Sequence, residues 1–96
     1  MSQIDVVALV KAKPGKGAAV AAAMKACIVP SRAESTNHLY VPHQDLDDPD
    51  SFVFIEKWDS REALQAHLET PHFKELAQTL EPLLAAPIDV KILRPL

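Results

Sequence analysis

Ninety-six residues carrying a formal charge of −3 suffice for one domain with a modest core and give no reason to expect nucleic acid as a partner. No apolar run approaches the roughly 20 residues that span a bilayer, the N-terminus lacks the basic and apolar blocks of a signal peptide, and the one cysteine, Cys27, has no internal disulfide partner. The expectation is one domain over residues 1–96 of a cytoplasmic protein, with neither membrane nor nucleic acid as a partner.

Residues 3–13 alternate as a strand, with Ile4, Val6, Ala8 and Val10 on one face and Asp5, Val7, Leu9 and Lys11 on the other. Both faces have an apolar centre, so neither reads as an ordinary wet face. Pro14-Gly15 marks a turn. The alanine-rich stretch 16–32 reads as a helix with Val20, Met24 and Cys27/Ile28 as its stripe, and Pro30 predicts a kink or an early end. Residues 37–44 form a second strand, with His38 and Tyr40 on one face and Leu39, Val41 and His43 on the other. Pro42 assigns it to a sheet edge and predicts irregular pairing.

The third strand, residues 51–58, puts Phe52, Phe54, Glu56 and Trp58 on one face and Val53, Ile55 and Lys57 on the other. Asp59 then caps a short helix, with Glu62 as its capping-box partner, and Ala63, Leu64, His67 and Leu68 share one side. Thr70 caps a further helix that opens with Pro71 and runs to about residue 84. Its stripe is Phe73, Leu76, Ala77 and Leu80, and Pro82 weakens its last turn. In the last strand, residues 87–94, Ile88, Val90 and Ile92 alternate with Asp89, Lys91 and Leu93. The order β-α-β-β-α-β, with its second helical region in two pieces, is the ferredoxin-like α+β plan: a four-stranded antiparallel sheet with helices on one face. Helices on one side leave the other apolar face bare, so a second copy of the same sheet is expected to cover it, making a homodimer.

The usual chemical motifs are absent. Two glycines cannot build a phosphate-cradling loop, and no paired cysteines or His-x-x-x-His spacing points to zinc. His67 and His72 are five residues apart with a helix entry between them, which argues against a shared metal. His67 is nevertheless an ionisable group in an apolar stripe: either a base facing a pocket between helix and sheet, or a core-edge histidine satisfied by one hydrogen bond. His72, in the first turn after Pro71, is expected toward solvent or as a polar contact. Trp58 and Phe54 read as packing or as aromatic walls, and Tyr40 as a hydrogen-bond donor or a core end-piece. Glu56 on an apolar strand face needs a partner, for which Arg61 or a histidine is available.

The pattern Glu56-x-Trp58, Ser60-x-Glu62-Ala63-Leu64 and His67-Leu68-x-Thr70-Pro71-His72-Phe73 resembles the antibiotic-biosynthesis monooxygenase domain, a family of dimeric α+β barrels. The resemblance extends to Pro30-Ser31-Arg32-Ala33-Glu34 and to the stretch 40–49 with its Asp45-Leu46-Asp47-Asp48-Pro49 turn. Two departures stand out: Ser35-Thr36 where relatives commonly carry Pro-Gly, and Pro42 where they carry an apolar residue.

The resemblance implies a cofactor-independent monooxygenase that oxidises a small electron-rich aromatic, a quinol or anthrone-like phenol, with dioxygen. His67 would be the base, Trp58 and Phe54 the walls, and Tyr40, His72 and Glu56 the polar contacts, with no metal or other cofactor. A haem-degrading branch uses an Asn, a Trp and a His where this chain has Ala8, His67 and Ala77, so that activity is not expected. The same fold also accommodates a non-enzymatic ligand-binding dimer, or an isomerase or lyase.

Overall fold

The computed structural model describes residues 3–96. Its elements are β1 (Ile4–Lys11), α1 (Gly17–Ala26), α2 (Ile28–Arg32), β2 (Asn37–Gln44), β3 (Ser51–Trp58), α3 (Arg61–Leu68), α4 (Pro71–Leu80) and β4 (Asp89–Leu93), with a 3₁₀ turn at Glu81–Leu83. The four strands form one sheet in the order β2-β3-β1-β4, and all three pairings are antiparallel. This is the ferredoxin-like arrangement, with β2 on an edge as Pro42 required.

Local chemistry explains the boundaries. Gly15 adopts a φ of 79°, and a Cβ on Gly17 would lie 2.6 Å from the Pro49 carbonyl oxygen, so α1 starts pressed against the β2–β3 turn. The expected single helix breaks at Cys27 rather than at Pro30. A proline has no N–H for the carbonyl four residues back and crowds it. That residue is Ala26, the last of α1, and Pro30 is then tolerated in the first turn of α2. Pro82 acts similarly, converting the end of the last helix into the 3₁₀ turn.

Two expectations are corrected. The cap of α3 is Ser60, whose Oγ accepts from the Ala63 N–H at 3.1 Å, while Asp59 pairs with His38 instead. The irregularity in β2 is a register shift between Asn37 and Leu39, not at Pro42, which sits opposite Phe54 in regular pairing. Thr70 caps α4 as expected, accepting from the Phe73 N–H at 3.2 Å, with Pro71 at the first helical position.

All the helices lie over one face of the sheet. Ile4, Val6, Ala8, Val10, Tyr40, Phe52, Phe54 and Trp58 point into that core, where Val20, Met24, Leu64, Leu76 and Leu80 meet them. The opposite face carries Val7, Leu9, Leu39, Val41, Val53 and Ile55, of which Leu9 and Ile55 are about 40 % exposed. Among the described residues, no helix is long and apolar enough to cross a membrane.

Candidate functional site

The helical layer stops short of β4. Val90 and Ile92 pair with Ala8 and Val6 on the helix-side face, yet they are 49 % and 38 % exposed. A cavity of about 90 Å³ lies in this gap. Ala8, Phe54 and Glu56 of the sheet line it, with His67 and Leu68 of α3 above. Phe73 of α4 and Ile88 and Val90 form its partly exposed rim.

His67 is placed by the Ser60-capped helix that drives Ala63 and Leu64 into the core one turn earlier. It is 2 % exposed and ringed by aromatics, with centroids of Trp58 at 4.5 Å, Phe73 at 5.3 Å and Tyr40 at 5.6 Å. Its Nδ1–H donates to Glu34 Oε2 at 2.6 Å. That bond fixes the tautomer and leaves Nε2 as an acceptor. Nε2 has no protein partner among the described residues, which leave no deeply buried side-chain nitrogen or oxygen unbonded. His67 itself lines the cavity, and Nε2 is the ring nitrogen left available to a ligand there. Burial holds the imidazole below its ordinary range, with Glu34 pulling the other way. His67 is thus oriented by Glu34, and burial favours its neutral form.

Glu34 follows α2, on the loop that leads to β2, and receives a second hydrogen bond from His72 Nε2–H at 2.8 Å. His72 is accordingly half-buried behind His67 rather than turned to solvent, and it does not line the cavity. Glu34, His67 and His72 form a group whose potential ligand atoms lie within 4.8 Å of one another. The two N···O separations are those of charge-assisted hydrogen bonds. Tetrahedral ligands at ~2.0–2.1 Å from zinc would stand roughly 3.3–3.4 Å apart. Holding a metal would therefore require this cluster to spread.

Glu56 takes neither of its expected partners: Trp58 Nε1–H donates to Oε1 at 2.8 Å. Arg61 makes no hydrogen bond to Glu56, and His67 Nδ1 and His72 Nε2 bond Glu34 instead. Burial pushes the Glu56 carboxyl up to about 7, against the opposing pull of the Trp58 bond and with the help of Glu34's charge. Trp58 is fully buried and stands behind Glu56 and His67 rather than in the cavity wall. Phe54 and Tyr40 do line the cavity. Burial, and Cys27 beside the hydroxyl, push the Tyr40 phenol far up, so it stays neutral.

The fold is a ferredoxin-like α+β domain with a buried, hydrogen-bonded histidine at the edge of an apolar cavity. The profile of the antibiotic biosynthesis monooxygenase family matches residues 4–79, and the chain belongs to that family. It is 32 % identical over 95 residues to "Putative monooxygenase Rv0793" of Mycobacterium tuberculosis, covering 99 % of this chain and 93 % of that one. The solved structure of Rv0793 superposes with a TM-score of 0.92, over 99 % of this chain and 96 % of that one. An uncharacterized protein of Synechocystis, sll1783, is 37 % identical over 83 residues, which are 86 % of this chain but 56 % of that protein's length. A 33-residue segment, 34 % of this chain and 32 % of the other, is 48 % identical to "Probable quinol monooxygenase YgiN" of Escherichia coli.

Proposed function

We propose that the protein is a cofactor-independent monooxygenase acting on a small quinol-like aromatic with dioxygen. The observation that carries this reading is His67 lining an apolar cavity with Nδ1 held by Glu34 and Nε2 without a protein partner among the described residues. The neutral imidazole takes a phenolic proton, and Glu34 stabilises the imidazolium that results. The phenolate left in an apolar enclosure is a strong one-electron donor, and dioxygen accepts the electron. The name of the Escherichia coli relative points to the same substrate class. An engineered apolar cavity of about 150 Å³ takes up benzene. At about 90 Å³ this cavity is smaller, so this reading requires the partly buried Phe73 and the exposed Val90 at its rim to rotate and make room for the substrate.

The catalytic unit in this reading is a homodimer closed through the bare face of the sheet. Val7, Leu9, Val41, Val53 and Ile55 form its apolar centre, with the Asp5–Lys57 pair at 2.7 Å near one end and the Lys11–Asp48 pair near the other. A two-fold axis brings such a patch onto itself.

Oxygen uptake with a panel of hydroquinones, in the presence of a chelator and without added flavin, tests the activity. Consumption with formation of a hydroxylated quinone is expected. Binding without consumption would make the protein a ligand carrier, and turnover without oxygen would make it an isomerase or lyase.

A further inference from the structure

Glu56 is a buried carboxyl that borders the cavity and has one neutral hydrogen-bond partner. Oε1 is occupied by the Trp58 indole N–H, and Oε2 has no partner among the described residues. Those residues leave no deeply buried side-chain oxygen unbonded, so Oε2 keeps some accessible surface, and Glu56, like His67, lines the cavity. The groups around it are apolar on β1, where Val6 and Ala8 lie alongside, and on α4, where Leu76 does. On β2 it meets the neutral Tyr40, and on α3 it meets His67, with His72 and Glu34 behind. No lysine or arginine lines the cavity, and the nearest other carboxylate, Glu34, disfavours a second negative charge. Burial therefore keeps much of the Glu56 population protonated at neutral pH, where an ordinary glutamate is ionised.

Resting on the quinol reading above, we infer that Glu56 is the general acid of the second half of the reaction, delivering its proton to the oxygen that leaves a substrate hydroperoxide. In the first half His67 removes one phenolic proton, and dioxygen takes one electron to give a semiquinone and superoxide. These combine at the ring carbon beside the phenolate, and the His67 imidazolium protonates the terminal oxygen. The intermediate is then a ring C(H)–OOH next to a carbonyl. Neutral His67 removes the C–H proton, the C–H electron pair becomes the new C=O bond, and the O–O pair departs with the terminal oxygen. Glu56 protonates that oxygen, so it leaves as water. The balance is quinol plus dioxygen giving hydroxyquinone plus water, and the His67 imidazolium returns its proton to Glu56. Without an acid for the departing hydroxide, hydroperoxide, the better leaving group, departs instead with the C–O pair; the remaining phenolic O–H gives it a proton and becomes the second C=O, so quinone and hydrogen peroxide form from the same atoms.

The test is the Glu56→Gln protein, whose amide oxygen still accepts from Trp58 but which holds no acidic proton. Hydrogen peroxide formed per dioxygen consumed should rise at least fivefold over wild type, and hydroxyquinone should fall correspondingly. In wild type that ratio should climb as pH passes upward through about 7 and the donor form is lost; in Glu56→Gln it should not depend on pH. A second readout needs no substrate. Trp58 is the only tryptophan, so its fluorescence should titrate with Glu56 in wild type and in His67→Gln, but not in Glu56→Gln. Wild type that hydroxylates while Glu56→Gln couples equally well overturns the donor role alone. Wild type that consumes no oxygen overturns the quinol reading and the donor role with it. A Trp58 signal without a transition near neutral pH overturns the protonated state on which the inference stands.

Discussion

The two faces of β3 are both apolar, and their neighbours make them different. On the helix side, Phe52, Phe54, Glu56 and Trp58 are all buried, and the one charge-bearing group among them borders the cavity with a single neutral partner. On the other side, Val53 and Lys57 are half-buried and Ile55 is exposed, with Lys57 paired to Asp5 in reach of water. The first face has its packing already and spends an irregularity, the gap beside β4, on a cavity. The second has the hydrophobic composition of a core without the covering layer, the condition of a surface that pairs. Alternation alone cannot tell a face that packs beneath helices from one that is left bare; the position of the helices does.

The largest effect should come from the covered face. His67→Ala should lower turnover by roughly 10²–10⁴-fold, the usual contribution of a general base, with a smaller loss in thermal stability. Steady-state oxygen uptake and a melting curve check it, and unchanged turnover in a folded variant would return His67 to a packing role. The open face is broken separately by Ile55→Asp. Two carboxylates brought together at an apolar interface should weaken self-association roughly a hundredfold or more, read by sedimentation, while the chain still folds. If wild type sediments as one chain at micromolar concentration, the pairing face is misassigned.

Glu34→Gln should cost less, roughly 10–100-fold in turnover, because it removes the charge behind the imidazole and leaves the base in place. The pH profile separates this from a general loss of structure. Burial already holds His67 below its ordinary range and Glu34 opposes that shift, so the variant's acid limb should move to still lower pH. The smallest effect is on stability. The folded Glu56 value of about 7 exceeds the ordinary 4.5, so between those values the native state binds more protons and stability falls as pH rises. His67 works in the opposite sense, its stability contribution rising with pH up to about 6.5. Glu56→Gln should therefore be more stable than wild type at pH 8, by on the order of 1–3 kcal/mol, with little difference near pH 4. Chemical denaturation at the two pH values measures it.

The strand faces, the ferredoxin-like order, the edge position of β2 and the inward turn of His67 were all legible in the sequence, because period-2 and period-3.6 patterns and proline chemistry are local. So was family membership, carried by residues 56–73. Glu34 was legible only as part of a family pattern. It meets histidines 33 and 38 positions further along the chain, and no spacing rule joins a loop carboxylate to two helices that only packing brings together. The sequence likewise showed that Glu56 needed a partner, but not that a neutral indole would be that partner. A tryptophan two residues away on the same strand face is always within reach; whether a cation displaces it depends on which helix lies above. The cavity is more purely tertiary still. It exists because the helical layer ends before β4, a matter of how two curved layers overlap, and no residue in the chain encodes that overlap by itself.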